Sequence, residues 1–358
     1  MSYSKILALD LGKFKSVGCA MDCATRQHAF VTLQTDRAAL VEWVTSHQSA
    51  RPADTLVVFE TCDAAGWIHD ALVPLGVSIT IVNCNDERWR WRKVKRKTDR
   101  DDALKLARLA LLDQLPTVHL PDPPSRQKRR LMLHRRAIVT RRTQCRNAIR
   151  SIFSQQGIAL ARGNKQWTVA GVAQLQEYAR PLDQCTVDDL WRGRLKVELD
   201  LMAAVDTQLK QADQKLDSLA DEKMTLLRSV KGVGPRLSEA VVLYLDDPKR
   251  FKTAEQLACY AGLVPRQLES GQMSRSGHIT RHGPGLLRSL LVEAAWTVWR
   301  HNPWAQAFVA KISRGSKARR KLAIVALARK LLIILWAMLK SGKPFKVPDV
   351  KAPVAALV

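Results

Sequence analysis

Hydrophobic positions near the start of the chain form three short runs separated by turn residues. The runs are KILALDLG, SVGCAMD and HAFVTLQ, and Gly12, Gly18 and the turn at 22–27 interrupt them. Short apolar runs bounded by such residues are typical of adjacent antiparallel strands. The pattern therefore predicts that the fold opens with a three-stranded meander.

Helices and strands alternate after the meander. Amphipathic spacing predicts helices at about 37–46 and 64–75, and the apolar runs TLVVFE (55–60) and SITIV (78–82) read as strands. From Thr98 the sequence TDRDDALKLARLALL carries apolar residues at helical spacing without a breaker, so it is predicted to be a helix. Alternation of this kind predicts an α/β domain with a mixed sheet.

Two long helical patterns follow a proline-rich boundary at 121–124. Residues 125–150 contain ten Arg or Lys, one His and no acidic residue, interleaved with apolar positions, and 198–219 repeat the amphipathic spacing. Together they predict an arm of two antiparallel helices. A solvated charged face would give a similar pattern, but the absence of balancing acids argues against it. No element is assigned to 155–195, which lack a strong period.

The composition points to nucleic acid as the partner. The chain has 58 Lys and Arg against 33 Asp and Glu, a net charge of +25, and 46% hydrophobic residues, enough for folded cores. The electrostatic field of a strongly positive protein attracts polyanions. An ordinary basic cytosolic or ribosome-associated protein is the alternative.

The cysteines argue against a zinc site, and the longest apolar stretch argues against a membrane-spanning helix. The seven cysteines are odd in number and irregularly spaced, which predicts reduced thiols and no zinc site. The stretch 322–339 is interrupted by Arg329 and Lys330. Because a bilayer penalises such charges, it is predicted to be a buried helix, with no membrane as partner.

Four carboxylates form the candidate metal site. Asp10 and Glu60 end two predicted strands, and Asp99 and Asp102 lie three apart at the start of a helix, on one face. If the strands are neighbours, these oxygens can share Mg²⁺ or Mn²⁺, which would act on a phosphate. Taken singly, Asp99 could be a helix cap and Glu60 a surface acid.

Basic segments supply the candidate nucleic-acid contacts. The run at 88–100 holds eight basic residues, with Trp89 and Trp91 available for stacking, and KGVGP at 231–235 predicts a tight turn before a helix. A purely structural turn is the alternative for KGVGP. The predicted contacts are Arg88, Arg90, Arg92, Lys93, Lys95, Arg96, Lys97, Arg129, Arg130, Arg135, Arg136, Lys231, Gly232, Gly234, Arg266, Arg275 and Arg281.

Ser270 is a candidate nucleophile. It precedes Gly271 in a basic, glycine-containing loop that two helices flank. A serine hydroxyl needs cations or a base to become reactive, and such a loop supplies cations. On chemistry alone the hydroxyl could equally donate to a phosphate, and Ser274 and Ser276 are equal candidates.

The motifs LALDLGK, VFET, KTDRDDA, KGVGP, RFKTAEQLACYAGLVPR, SG and GHITRHGPGLLRSLLVEAA, in that order, resemble the insertion-sequence 110 family of DEDD transposases. The resemblance implies a ribonuclease H-like domain of the Holliday-junction resolvase type at 1–120 and a coiled-coil arm at 121–222. A mainly α transposase domain with a helix-hairpin-helix follows at 223–345, and a tail at 346–358.

The resemblance also implies roles. Asp10, Glu60, Asp99 and Asp102 would hold magnesium, and Ser270 would be the covalent nucleophile of a serine recombinase guided by a structured noncoding bridge RNA. Donor and target DNA would be its substrates. A homodimer assembling to a tetramer would form a composite site between subunits, in the bacterial cytoplasm at the nucleoid. By the same resemblance a small polar residue would precede the serine, whereas this chain has Glu269 there.

Three other activities compete with recombination. A metal-dependent Holliday-junction-type endonuclease would use water as the nucleophile and form no protein–DNA adduct. A sugar-kinase or actin-like ATPase also opens with a strand ending in Asp-x-Gly, but no second glycine-rich phosphate loop follows. An inactive RNA-binding protein would keep the basic helices and need none of the four acids.

Overall fold

The computed structural model describes residues 3–83, 98–270 and 273–347, with the backbone alone for 267–276. Its contacts divide the chain into two compact units, Met1–Arg126 and Gln127–Val358. Most of the region predicted as an arm therefore belongs to the same unit as the C-terminal region. The domain boundaries at 120, 222 and 345 stay predictions.

A five-stranded mixed sheet forms the first unit. Its strand order is β3-β2-β1-β4-β5, in which β2 is antiparallel to β1 and β3, while β4 is parallel to β1 and β5. The predicted meander and mixed sheet are confirmed. The strands are β1 (Lys5–Asp10), β2 (Lys15–Asp22), β3 (His28–Gln34), β4 (Thr55–Glu60) and β5 (Ser78–Val82).

Helices cover both faces of this sheet, because side chains of each central strand alternate between two cores. Leu7, Leu9, Val57 and Phe59 pack on one face against α1 and α2. Ile6, Ala8, Leu56 and Val58 pack on the other face against α3. The helices are α1 (Arg37–His47), α2 (Ala65–Leu72) and α3 (Asp99–Leu111).

Two long helices open the second unit and run antiparallel. As α4 advances from Arg135 to Arg142, its partners on α6 step back from Asp213 to Asp206. The two predicted antiparallel helices are therefore present, while their role as a coiled-coil arm stays a prediction. The elements are α4 (Pro123–Gln155), α5 (Val169–Tyr178) and α6 (Leu190–Ser218). The unassigned region thus contains α5, and α6 begins eight residues before the predicted start at 198.

The rest of the second unit is a helical core with one β-hairpin. The helices are α7 (Glu222–Arg228), α8 (Pro235–Leu245), α9 (Ala254–Tyr260), α10 (Gly285–His301), α11 (Pro303–Ser313) and α12 (Arg320–Ser341). The hairpin strands are β6 (Pro265–Ser270) and β7 (Met273–Ile279). The segment around Ser270 was predicted to be a loop, and that expectation is wrong because its backbone pairs as two antiparallel strands.

The C-terminal helix α12 is the core helix of this unit. Leu327, Leu331 and Leu335 are fully buried on it. Within the described ranges, α12 is the one helix long and apolar enough to cross a membrane, and 56% of its most apolar window is buried. The prediction of a buried helix is confirmed.

Candidate active site

Asp10 and Glu60 are neighbours at the carboxyl ends of two parallel strands. Leu9 of β1 lies opposite Phe59 of β4, so Asp10 and Glu60 occupy the next positions of the same register. Because Leu9 and Phe59 belong to the core under α1 and α2, the alternation of side chains turns the two carboxylates toward the face that α3 covers. Both are half-buried.

The three carboxylates in the first turn of α3 have different surroundings. Thr98 caps the helix, with its backbone N–H 2.9 Å from Asp101 Oδ2, while the Asp101 N–H lies 3.3 Å from Thr98 Oγ1. The Thr98 hydroxyl also donates to Asp101 Oδ2 at 2.7 Å. This bond, followed by the one from the Thr98 N–H, lowers the pKa of Asp101. Asp99 and Asp102 share another face of the helix, and Asp102 is only 8% exposed. The prediction that Asp101 faces elsewhere is confirmed.

The start of α3 lies toward the carboxyl end of β1. At its other end, Leu111 and Leu112 line one cavity of about 510 Å³ together with Met21 and Cys23. Met21 pairs with Ile6 near the start of β1, so α3 runs antiparallel to that strand. Its first turn, with Asp99 and Asp102, is thereby directed to the end of the sheet where Asp10 and Glu60 lie.

The fold thus directs all four carboxylates to one end of one sheet face. Within 3–83, 98–270 and 273–347, however, no group of three or more His, Cys, Asp or Glu side chains is arranged to hold a metal ion. The donor chemistry itself fits a hard cation, since the quartet offers carboxylate oxygens only. Metal binding by the quartet stays a prediction.

The second candidate site is the β6–β7 hairpin. Ser270 ends β6 and pairs with Met273 at the tip, and Glu269 pairs with Ser274. The backbone therefore places Ser270 at the turn of a two-stranded ribbon. The side chains of Ser270, Ser274, Ser276 and Arg275, and all of Gly271, lie outside the described residues.

A close backbone crossing closes the base of this hairpin. Gly262 (φ +65°) and Gly283 (φ +71°) are both left-handed, and a β-carbon on either would clash with backbone atoms of the opposite segment. Arg288 of α10 fastens the same crossing, because its Nη1 donates to the carbonyl oxygens of Ala261 (3.1 Å) and His282 (2.9 Å). The pKa of Arg288 is lowered, chiefly by burial.

Gly283→Ala is expected to destabilise the second unit by about 2 kcal/mol or more, since the methyl group adds a backbone clash to the cost of a left-handed alanine. Gly315→Ala is the matched control: its φ is +74° and nothing lies within 4 Å of its β-carbon position. That variant should lose only about 1 kcal/mol. Thermal unfolding of both variants measures the difference, and equal losses would contradict the close crossing.

The turn between α7 and α8 matches the predicted glycine turn. Gly232 has φ +103°, and a β-carbon there would lie 3.0 Å from Val298. The Lys231 carbonyl oxygen accepts a bond from Asn302 Nδ2 at 2.8 Å, so the turn is fixed against α10. Lys231 and Gly234 remain exposed, and their predicted contact with nucleic acid stays a prediction.

A buried ionic cluster ties α8 to its neighbours. Arg236 on α8 forms ion pairs with Asp217 and with Asp213 (3.5 Å), and it lies 3.2 Å from the Glu239 carboxyl group. Arg228 of α7 lies 3.8 Å from the same Glu239. Glu239 is 1% exposed, and neither of its carboxylate oxygens accepts a hydrogen bond within the described part of the chain. The sequence motif SEAVVLYL gave no sign of this site.

Burial raises the pKa of Glu239 to about 7, although Arg236 lowers it, Asp217 raises it, and Arg228 and Arg135 lower it. The folded chain therefore keeps the proton up to about pH 7, whereas the unfolded chain releases it near the ordinary value of 4.5. In that window the native state binds more protons, so the free energy of unfolding falls as pH rises.

We expect this carboxyl group to lower the free energy of unfolding by about 1 to 3 kcal/mol between those two pH values. Glu239→Gln should flatten the dependence, because an amide carries no titrating proton. Urea unfolding of the full chain at a series of pH values measures both slopes. A variant that kept the parental slope would show that another group titrates there.

Two of the arginines predicted to bind nucleic acid make internal contacts. Arg129 Nε donates to the Leu243 carbonyl oxygen at 2.8 Å, and its Cζ lies 5.0 Å from the centre of the Tyr244 ring. Arg135 Nε donates to Asp213 Oδ1 at 2.7 Å. Both side chains therefore attach α4 to neighbouring elements, and their contact with nucleic acid stays a prediction.

The other predicted basic contacts are exposed or outside the described residues. Arg130, Arg136, Arg266 and Arg281 are exposed, and Arg136 lies 3.8 Å from Glu293. Those outside the described ranges are Arg88, Arg90, Arg92, Lys93, Lys95, Arg96 and Lys97.

Two family models match the chain. "Transposase" of the DEDD_Tnp_IS110 model matches 7–157, and "Transposase IS116/IS110/IS902 family" matches 224–310. The first range contains all four carboxylates, and the second contains the glycine turn and the Ser270 hairpin. The chain belongs to the IS110 family of transposases.

Relatives agree with this membership over most of the chain. It is 27% identical to "Putative transposase y4rJ" of Sinorhizobium fredii, over 86% of this chain and 82% of the relative. It is 25% identical to the transposase for insertion sequence element IS1111A of Coxiella burnetii, over 96% and 91%. A shorter match, 32% identical, is to the pilin gene-inverting protein of Moraxella lacunata, over 34% and 38%.

As a member of the IS110 transposases, the chain is a DNA-acting enzyme of an insertion sequence. The DEDD domain of the family is ribonuclease H-like and typically uses a divalent metal. The mixed sheet with carboxylates at the ends of β1 and β4 is consistent with that fold. The sequence did not identify Arg288 as a residue that holds the base of the hairpin, because its partners are backbone carbonyl groups that no motif identifies.

Proposed function

We propose that this transposase cuts and rejoins donor and target DNA through a phosphoserine intermediate formed at Ser270. Asp10, Glu60, Asp99 and Asp102 would hold Mg²⁺ or Mn²⁺, and a structured noncoding bridge RNA would select the DNA. The observation that supports this most is the convergence of four carboxylates on one end of one sheet face, in a chain with a net charge of +25.

The quartet would contribute through its charge. Four carboxylates brought together at one end of a sheet face would repel one another, and a cation among them would offset that repulsion. Asp102, at 8% exposed, would be held close to such an ion with little competing solvent. A bound Mg²⁺ would polarise the scissile phosphate and stabilise the developing charge on its oxygens. The carboxylates would fix the position of the ion, and through the ion that of the phosphate, relative to the sheet.

Ser270 would carry out the covalent step. Its Oγ bonds to phosphorus while the bond from phosphorus to the 3′ oxygen breaks, and the serine proton ends on that leaving oxygen. A 3′ hydroxyl of the exchanged strand then attacks the phosphoserine and releases the serine with its proton. Each step replaces one phosphoester with another, so rejoining needs no ATP.

The closed base of the β6–β7 hairpin supports a positioned serine. A nucleophile works only when it is held near its target in a fixed orientation. Gly262, Gly283 and Arg288 close the base with backbone contacts, and Ser270 lies at the opposite end of the ribbon.

We further propose a homodimer that assembles to a tetramer on DNA, in the cytoplasm at the nucleoid.

A two-plasmid recombination assay tests the function. The donor plasmid carries the element with its flanking noncoding DNA, the target plasmid carries an insertion site, and sequencing across the new junctions detects joining. The proposal predicts precise junctions that disappear when the noncoding segment is deleted and return when its RNA is supplied separately. Junctions that form equally well without that segment would contradict RNA guidance.

The second candidate is a metal-dependent junction endonuclease in which water attacks the phosphate. The carboxylate quartet favours it as much as it favours recombination, since metal-activated water is common chemistry for such sites. It predicts nicked DNA without new junctions in the same assay.

A further inference from the structure

One cluster of arginines lies on the C-terminal part of α4 and includes no residue of either candidate site. Arg146 and Arg150, one helical turn apart, share the ring of Trp167: their Cζ atoms lie 5.0 and 5.1 Å from the ring centre. The half-buried indole comes from the short turn before α5. Two guanidinium groups thus contact one indole ring.

Neither arginine of this pair forms an ion pair within the described residues, although Asp206 is near enough to Arg146 to oppose the lowering of its pKa by burial. Other arginines of α4 have a carboxylate partner, such as Arg135 with Asp213 at 2.7 Å and Arg142 with Asp206 at 3.5 Å. Among the described residues no ion pair joins Arg146 or Arg150 to an acid, and Arg150 Nη1 donates only to Asn147 Oδ1 at 3.1 Å.

Arg146 is costly to keep charged at this place. Its Nε is buried and has no hydrogen-bond partner in the described part of the chain. Burial lowers the pKa of its guanidinium, and the nearby Arg142 lowers it further; Asp206 raises it and Arg150 lowers it again. An anion between the two guanidinium groups would offset this repulsion and supply acceptors.

The geometry suits a phosphate better than a carboxylate side chain of a protein partner. Planar guanidinium groups bind phosphate oxygens with paired donors. Contact with the Trp167 ring restricts both side chains, so less conformational entropy is lost on binding. The chain is a DNA-acting transposase with a net charge of +25, and phosphodiesters are the anions it meets in its reaction.

We propose that Arg146, Arg150 and Trp167 form a binding site for a backbone phosphodiester of nucleic acid on the arm. This inference rests on the proposed function, because it takes nucleic acid as the substrate. The site grips the backbone without reading bases, and so it contributes salt-dependent affinity.

The test measures the affinity of the full chain for a DNA duplex and for an RNA hairpin of equal length, across a range of salt concentrations. The double variant Arg146→Gln, Arg150→Gln should bind about tenfold more weakly and reduce the slope of log affinity against log salt by about 1 to 2. A loss confined to one probe identifies which nucleic acid occupies the site, and a loss with both is equally a positive result.

The control variant is Lys210→Gln, Lys215→Gln, which removes the same charge from exposed positions on α6 of the same arm. It should keep the parental slope. The inference is overturned if the arginine variant keeps the parental slope with both probes, or if the control loses as much. Were the double variant to unfold, the exposed Arg150→Gln alone should lower the slope by about 0.9.

The two possible failures are distinguishable. A parental chain that binds neither probe contradicts the proposed function and this site with it. A parental chain that binds and recombines DNA, beside an arginine variant with unchanged slope and affinity, contradicts this site alone.

Discussion

Asp10→Asn is expected to lower recombination about a thousandfold or more. Asparagine keeps the shape of the side chain at the end of β1 but removes one of the four negative charges that would hold a divalent cation. A metal-stabilised transition state is worth several kcal/mol, and each 1.36 kcal/mol is about tenfold in rate. The two-plasmid assay measures junctions per target molecule for the variant and the parent.

Asp22→Asn is the matched control for that experiment. Asp22 pairs with Lys5 at the opposite end of β1, and its carboxylate accepts a bond from the Thr25 N–H at 2.8 Å in a local turn. An asparagine there can accept the same bond, so recombination should stay near the parental rate. Equal rates for Asp10→Asn and the parent would mean that the quartet is not the metal site.

Ser270→Ala is expected to abolish recombination, by at least about a thousandfold, because no other step of the proposed reaction can form the covalent intermediate. Binding of DNA should not change, since the hydroxyl is a small part of the contact surface. Junction formation and DNA affinity, measured on the same preparation, separate the two effects.

Two other serines of the same hairpin provide controls. Ser274 and Ser276 lie on β7, opposite Glu269 and Gln267 in the backbone register. The sequence alone made them equal candidates, whereas the proposal assigns the nucleophile to Ser270. Ser274→Ala and Ser276→Ala should therefore recombine; if either is inactive while Ser270→Ala is active, the assignment moves to that serine.

Much of the first unit could be predicted, because its signals are local. The β1 run KILALD and the β4 run TLVVFE are short and apolar, and each ends in an acid, so both the strands and the positions of Asp10 and Glu60 follow from the pattern. The separation of Asp101 from Asp99 and Asp102 follows from helical spacing. Which strands are adjacent depends on tertiary packing, so the sequence left the pairing of β1 with β4 as a condition.

The second unit was harder to predict where its order depends on distant residues. The β6–β7 hairpin is rich in polar residues and lacks the alternation that identifies strands, so it was expected to be a loop. The helix α5 is only ten residues long and lies among short turns, too short for a clear period. Burial of Glu239 requires Arg228 and Arg236 around it, and neither spacing nor composition predicts that arrangement.

The most direct test of the central claim is a search for a covalent bond between Ser270 and DNA. The chain, Mg²⁺, the RNA transcribed from the flanking segment and end-labelled DNA would be combined, denatured and separated by electrophoresis. The account predicts a labelled, protease-sensitive species that migrates near the protein and is absent with Ser270→Ala. Mass spectrometry should show that the attached nucleotide is bonded to Ser270. Cleaved DNA without any protein-linked species would contradict it and would identify water as the nucleophile.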